Sequence, residues 1–229
     1  MIEQILPPAV ASVEAFSDPP GVTLFPEEQL IISRAVERRR REFTAGRACA
    51  RSALAKLGIP PVPILRGERN APQWPAGIVG SITHCAGYRA AAVARAGELV
   101  GIGIDAEPNQ PLPDGVLRAV ALPDEQAGLG ALPAGTAWDR LLFCAKEAIF
   151  KVWFPLTISP LGFEDARVAI HPLRATFEAR LLVPVPNPLL PARLTGRWLA
   201  TSTHLLTAIA LPVRPNTGIE ARVPGRERT

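Results

Sequence analysis

Residues 143–152 read FCAKEAIFKV, an apolar run broken by Glu147 between Lys146 and Lys151. Lysine is scarce in this chain: Lys56, Lys146 and Lys151 are the only ones among 25 basic residues. A lysine ammonium is a compact point charge that can crowd one phosphate oxygen, where arginine presents a planar fork. Two scarce lysines around one carboxylate therefore suit phosphate chemistry. At 3.6 residues per turn, Leu142, Ala145, Ile149, Val152 and Trp153 gather on one helical face, with Glu147 and Lys151 pointing the other way. An exposed Glu–Lys pair at i, i+4 is the ordinary alternative, worth a few tenths of a kcal/mol. The flanking Phe143, Phe150 and Phe154 suit a cleft better than open water.

Three further stretches carry chemistry. In VGIGIDAEP, residues 100–108, Asp105 and Glu107 stand at i and i+2 of an extended strand and leave it on one side. Paired carboxylates repel unless a cation lies between them, and Mg²⁺ takes one or two carboxylates with water and phosphate oxygens; solvated acids at a strand end are the alternative. A third carboxylate from Glu147 would complete a hard-oxygen site. In GSITHCAGYR, residues 80–89, His84 sits at a strand end beside Gly87, either as a structural histidine or as a phosphate receiver. It has no second histidine or cysteine at metal-ligand spacing. The run RRRREFTAGRACARSALAKLG, residues 38–58, places arginines partly on one helical face. A solvated surface, nucleic-acid backbone or a single terminal phosphate would each satisfy it.

These residues need helices and strands to position them. Pro26 with Glu27 and Glu28 starts a helix whose periodicity carries through Val36 into Arg38–Arg41. A second helix is expected over Ala45–Leu57, closed by Gly58. Ile78–Thr83 and Arg89–Ala94 read as a hairpin, and Leu99–Ile104 as another strand. After the proline-rich connection Pro108–Pro113 come a long helix, Trp138–Phe154, and strands at Ala166–His171, Ala175–Val183 and Thr195–Leu211, the last a hairpin. Helix followed by strands, twice, predicts two α+β lobes, with no residue-level repeat visible.

Composition narrows the class. With 229 residues, 48% hydrophobic and 20% charged, the chain can bury a substantial core, and its net charge of +4 favours acidic or phosphorylated partners. Cys49, Cys85 and Cys144 are far apart, which argues against a disulfide framework or zinc site and for a reducing compartment. No basic stretch precedes the first apolar residues and no apolar run reaches spanning length. A soluble cytoplasmic protein is expected.

In this order, FTAGRxxAxxALxxLG, GSITHC, GIDAEP and FCAKEAIFK resemble the 4′-phosphopantetheinyl transferases, in the branch related to the surfactin- and enterobactin-synthetase activators. WFPLT and LGFEDA after the helix look like actinobacterial members. The resemblance spans roughly residues 30–170. It implies two similar, pseudo-symmetric α+β lobes in one monomer; the proline-rich connection divides them into residues 1–108 and 109–212, and the polar, aperiodic stretch 213–229 is expected to be a disordered tail. It further implies transfer of the 4′-phosphopantetheine arm of coenzyme A to a serine of apo acyl or peptidyl carrier proteins of polyketide, fatty-acid and nonribosomal peptide synthases, with neither nucleic acid nor membrane as partner. Asp105, Glu107 and Glu147 would hold Mg²⁺, with Mn²⁺ a substitute, and Glu147 would take the serine proton. Lys151 and Lys146 would sit on the phosphates, and Arg39, Arg47, Thr83 and His84 would receive the 3′-phosphate region. Arg66 stands where relatives carry a basic residue. Asn70-Ala71-Pro72 replaces a Gly-Lys-Pro, and Ala106 offers the metal no side chain. A Mg²⁺-dependent nuclease is the rival reading, although nuclease motifs usually place the lysine two residues after the acid.

Overall fold

The computed structural model describes residues 1–213. The expected tail, 213–229, lies outside the described residues from 214 onward. Short alternating runs give β1 (Ala11–Ala15), β2 (Ile78–Cys85) and β3 (Tyr88–Arg95), an antiparallel sheet in the order β1-β3-β2. β2 and β3 form the expected hairpin, turning through Ala86 and Gly87, where Gly87 takes φ +74°. The connection that follows enters β4 (Leu99–Pro108), whose partner is the last strand of a second sheet. That sheet also contains β5 (Ala166–His171), β6 (Thr176–Leu181), β7 (Arg193–Ala200) and β8 (His204–Pro212), in the order β4-β8-β7-β6-β5.

Each sheet carries one 20-residue helix, α2 (Glu37–Lys56) on the first and α5 (Trp138–Thr157) on the second. Short helices α1 (Pro26–Ile31), α3 (Val116–Val120) and α4 (Pro123–Leu129) precede them. The helix expected to run from Pro26 into the arginines is broken: α1 stops at Ile31. Arg40 folds back from α2 and donates to the carbonyls of Ser33 (2.5 Å) and Ala35 (2.8 Å), fixing the turn between them.

The structure exposes a repeat that the bare sequence hides. Phe25-Pro26-Glu27-Glu28-Gln29 and Leu122-Pro123-Asp124-Glu125-Gln126 build the same device. Glu28 accepts from its N-cap amide (Phe25, 3.1 Å), from Arg51 of α2 (2.9 Å) and from the Ile64 amide (2.9 Å). Glu125 accepts from its N-cap amide (Leu122, 2.7 Å), from Lys146 of α5 (2.7 Å) and from the Val168 amide (2.6 Å). Further along, Lys56 donates to the Ser12 carbonyl in β1 (2.7 Å) and Lys151 to the Ile104 carbonyl in β4 (3.0 Å). β1 and β4 are thus equivalent first strands, and β1-β3-β2 matches β4-β8-β7, with β6 and β5 as an extension. The expected first lobe, residues 1–108, thus includes β4. β4 opens the second repeat, because its ladder hydrogen bonds go to β8.

The core of the second lobe lies between α5 and its sheet, with Leu141, Leu142, Ala145, Ala148, Ile149 and Val152 buried. α5 sits directly on β4 because Gly103 has no side chain: a Cβ there would lie 2.0 Å from the Ala148 carbonyl oxygen. Gly103→Ala is expected to cost about 3 kcal/mol, a Tm fall of roughly 6–12 °C by calorimetry, since backbone has to move.

Candidate active site

The site forms where the two repeats meet, and the meeting solves an edge problem. β4 borders its sheet, so outward-facing amides need acceptors from elsewhere. β2 supplies them: Ser81 Oγ accepts the Ile104 amide (3.1 Å) and Thr83 Oγ1 the Ala106 amide (3.0 Å). Thr83 in turn donates to Asp105 Oδ1 (3.1 Å). Thr83 was expected to receive coenzyme A, but its hydroxyl is buried and spent on this seam.

Asp105 is 5% exposed. Lys151 Nζ donates to its Oδ1 at 2.6 Å, while Oδ2 is buried with no hydrogen-bond partner among the described residues. Glu107, on the same side of β4, accepts from Arg140 Nη1 at 2.9 Å. Burial, then the Asp105 charge, raise both Glu107 and Glu147 above the ordinary carboxylate range, against the pull of Arg140 on Glu107 and of Lys151 on both. Burial opposes the Lys151 ammonium, yet Asp105 and Glu147 hold it protonated beyond its usual pH.

Among the described residues, no three His, Cys, Asp or Glu side chains gather closely enough to hold a metal ion by themselves. The expected cage of Asp105, Glu107 and Glu147 is thus not closed, because Glu107 is drawn to Arg140 and Asp105 to Lys151. The donor set nonetheless fits a hard divalent cation. One buried carboxylate oxygen has no partner, the three acids repel one another, and Mg²⁺ needs only one or two protein carboxylates when phosphate oxygens complete its shell.

A cavity of about 280 Å³ lies between α2 and α5, reaching Lys151 beside Asp105. Glu147, Lys151, Phe150 and Phe154 line one end, and Arg39, Arg47, Arg66, Arg69 and His84 the other. Arg47 is nearly buried, with Nε on the Ile64 carbonyl (2.7 Å) and Glu28 at 4.0 Å. Its guanidinium lies over the Phe43 ring at 4.2 Å and that of Arg66 over the same ring at 4.9 Å. Burial pulls Arg47 down to about 10; Glu28 resists and the neighbouring arginines add to the fall. Arg66 Nη2 is buried without a partner among the described residues. Arg39 Nη1 donates to His84 Nε2 at 2.8 Å, and burial, then Arg39, keep His84 below its usual pKa against the pull of Glu42. Guanidiniums crowded together with unused donors are a receptor for an anion.

Lys146 does not join them. Its ammonium is buried, held by Glu125 at 2.7 Å and the Phe163 carbonyl at 2.8 Å, which makes it the counterpart of Arg51. Sequence reasoning also missed Arg69 and Asn70, which line the cavity from a turn with φ +47° and +64°. The asparagine was the available signal, since it tolerates the left-handed region better than most residues. On the far side of Glu147, a smaller hollow of about 180 Å³ is walled by Phe150, Leu161 and Phe163.

Comparison with known proteins finds one family across both lobes. The profile of the 4′-phosphopantetheinyl transferase N-terminal domain matches residues 26–94, and that of the 4′-phosphopantetheinyl transferase superfamily matches residues 101–188, so the division between them falls at the start of β4. The chain is 49% identical to 4′-phosphopantetheinyl transferase Svp of Streptomyces mobaraensis, over 100% of this chain and 97% of that one. It is 48% identical to 4′-phosphopantetheinyl transferase PptT of Mycobacterium tuberculosis, over 92% and 98%. Enterobactin synthase component D of Salmonella typhi is 30% identical over 79% and 75%. From the two-lobed fold, the seam that holds Asp105 and these matches across both lobes, the chain belongs to the 4′-phosphopantetheinyl transferase superfamily.

Proposed function

We propose that the cleft between the lobes binds coenzyme A with Mg²⁺, or Mn²⁺ in its place, and that Glu147 and Lys151 act on the pyrophosphate. The chain is a 4′-phosphopantetheinyl transferase and modifies carrier proteins. Its family takes coenzyme A as substrate and generally uses a divalent metal. The observation that carries the site assignment is a single cavity walled by four arginines and His84 at one end and by Glu147 and Lys151 at the other. The 3′-phosphate end of coenzyme A goes to Arg39, Arg47, Arg66, Arg69 and His84. The pyrophosphate lies over Asp105 and Lys151, and the pantetheine arm leaves past Glu147 toward the smaller hollow.

Glu147 takes the proton of the carrier serine hydroxyl, whose oxygen forms a bond to the phosphorus bearing the pantetheine. The bond from that phosphorus to the bridging oxygen breaks, and adenosine 3′,5′-bisphosphate leaves. Lys151 places its ammonium beside the transferring group, where positioning and charge neutralisation supply most of the rate. A divalent ion held by Asp105, Glu107 and Glu147 would polarise the pyrophosphate. The partners are acyl and peptidyl carrier domains of polyketide, fatty-acid and nonribosomal peptide synthases, met in the cytoplasm by a monomeric enzyme. No described helix is long and apolar enough to cross a membrane.

Thermal shift tests the binding assignment: coenzyme A with Mg²⁺ should raise Tm by several degrees and duplex DNA should not, whereas a DNA-only shift would favour the nuclease reading. Phe43→Leu should weaken metal-free coenzyme A binding about tenfold by calorimetric titration. It removes the ring that two guanidiniums share at roughly 0.5–1 kcal/mol each.

A further inference from the structure

Arg140, Glu147 and Lys151 stand at i, i+7 and i+11 of α5 and so share one helical face. That face looks onto β4, and the pairing follows the register: Lys151 bonds Asp105 at 2.6 Å and Arg140 bonds Glu107 at 2.9 Å. Each β4 carboxylate therefore has one oxygen tied to a cation from α5. The other, Asp105 Oδ2 or Glu107 Oε1, accepts no hydrogen bond among the described residues.

Arg140 is itself clamped. Its Nε donates to the Gln110 carbonyl (3.1 Å) and its Nη2 to the Pro111 carbonyl (2.8 Å), so each guanidinium nitrogen has a separate acceptor. The connection supplying those carbonyls is pinned in turn. Asn109 donates to the Thr201 carbonyl (2.7 Å) and accepts the Ala137 amide (2.9 Å), and Asp139 accepts the Leu112 amide (2.8 Å). A guanidinium fixed at two backbone points cannot follow Glu107 or swing away from it. One of the two Glu107 carboxylate oxygens is held before any cation arrives.

We propose that Arg140 is a positioning residue that presents Glu107 to the divalent ion, holding Oε2 and leaving Oε1 free. The inference rests on the reading above that Asp105 and Glu107 hold that ion. Mg²⁺ demands near-ideal octahedral geometry, so a carboxylate that rotates freely is a poorer ligand than one held at a fixed angle. Outer partners of ligating carboxylates typically change metal affinity 10–100-fold when removed. A competing role makes the opposite prediction, because an arginine that merely occupies Glu107 would weaken metal binding, and its removal would tighten it.

The test uses Mn²⁺ as the probe, titrated into the full chain with saturating coenzyme A and no carrier protein, free Mn²⁺ being read by electron paramagnetic resonance. Arg140→Gln should raise the Mn²⁺ Kd about 10–100-fold, with metal-free coenzyme A affinity within twofold of wild type. Arg140→Lys, which keeps the charge and can reach one acceptor at a time, should recover only part of the loss and guards against a Gln variant that fails to fold. Adding Arg140→Gln to Glu107→Gln should cost nothing more, because both act through one carboxylate. An unchanged or tighter Mn²⁺ Kd in Arg140→Gln and Arg140→Lys, or multiplying losses in the double variant, overturns the proposal. Wild-type Mn²⁺ binding that is insensitive to Asp105→Asn would overturn the underlying metal assignment instead.

Discussion

Glu147→Gln is expected to give a more stable protein and a far poorer enzyme. Burial and the charge of Asp105 raise the Glu147 pKa, so ionising this side chain in the metal-free fold costs free energy. A carboxylate raised on folding contributes stability below its unfolded pKa, and that contribution is lost as pH rises through the folded value. The metal-free variant should therefore melt above wild type at neutral pH, and the gap should close as acid protonates Glu147. Coenzyme A with metal should narrow or reverse the order, since a cation relieves the repulsion in wild type and glutamine binds it poorly. Transfer rate should fall on the order of 10³-fold, the usual cost of losing a general base. Melting curves across pH, paired with single-turnover transfer, check both halves; equal activity in the variant would remove Glu147 from the chemistry.

Lys151→Arg should lose about 100-fold in kcat/KM although the charge is retained. The ammonium donates at once to the Ile104 carbonyl at 3.0 Å and Asp105 Oδ1 at 2.6 Å, in a corner closed by Phe150 and Phe154. A planar guanidinium needs more room and cannot converge on the same oxygens. Loss of one aligned charge at a transferring phosphate is worth about 10²–10³ in rate. Lys151→Met should go further and destabilise the fold by on the order of 3 kcal/mol, because Asp105 would stay buried without its cation. Wild-type kinetics in Lys151→Arg would show that any cation serves there.

How much of this was legible beforehand depends on which interactions are local. The α5 face, the β2–β3 hairpin and the i, i+2 carboxylates of β4 follow from periodicity, and the structure places them as read. The two lysines of α5 part company in the structure. Lys151 reaches the site, whereas Lys146 pairs with Glu125, a contact between residues 21 positions apart that no spacing rule reveals. The same holds for Thr83, whose hydroxyl satisfies a sheet edge contributed by another lobe. The repeat of FPEEQ and LPDEQ was present in the sequence and became meaningful only when Glu28 and Glu125 were seen to do equivalent work. Arg140 escaped notice because its role depends on carbonyls of a proline-rich connection some 30 residues earlier.

Transfer itself is the most direct measurement. An apo acyl carrier protein incubated with the enzyme, coenzyme A and Mg²⁺, then weighed intact by mass spectrometry, should gain one phosphopantetheine arm on its serine. The gain should vanish with Glu147→Gln and Asp105→Asn at matched times. Full modification by those folded variants, or none by folded wild type across several carriers, would contradict the account.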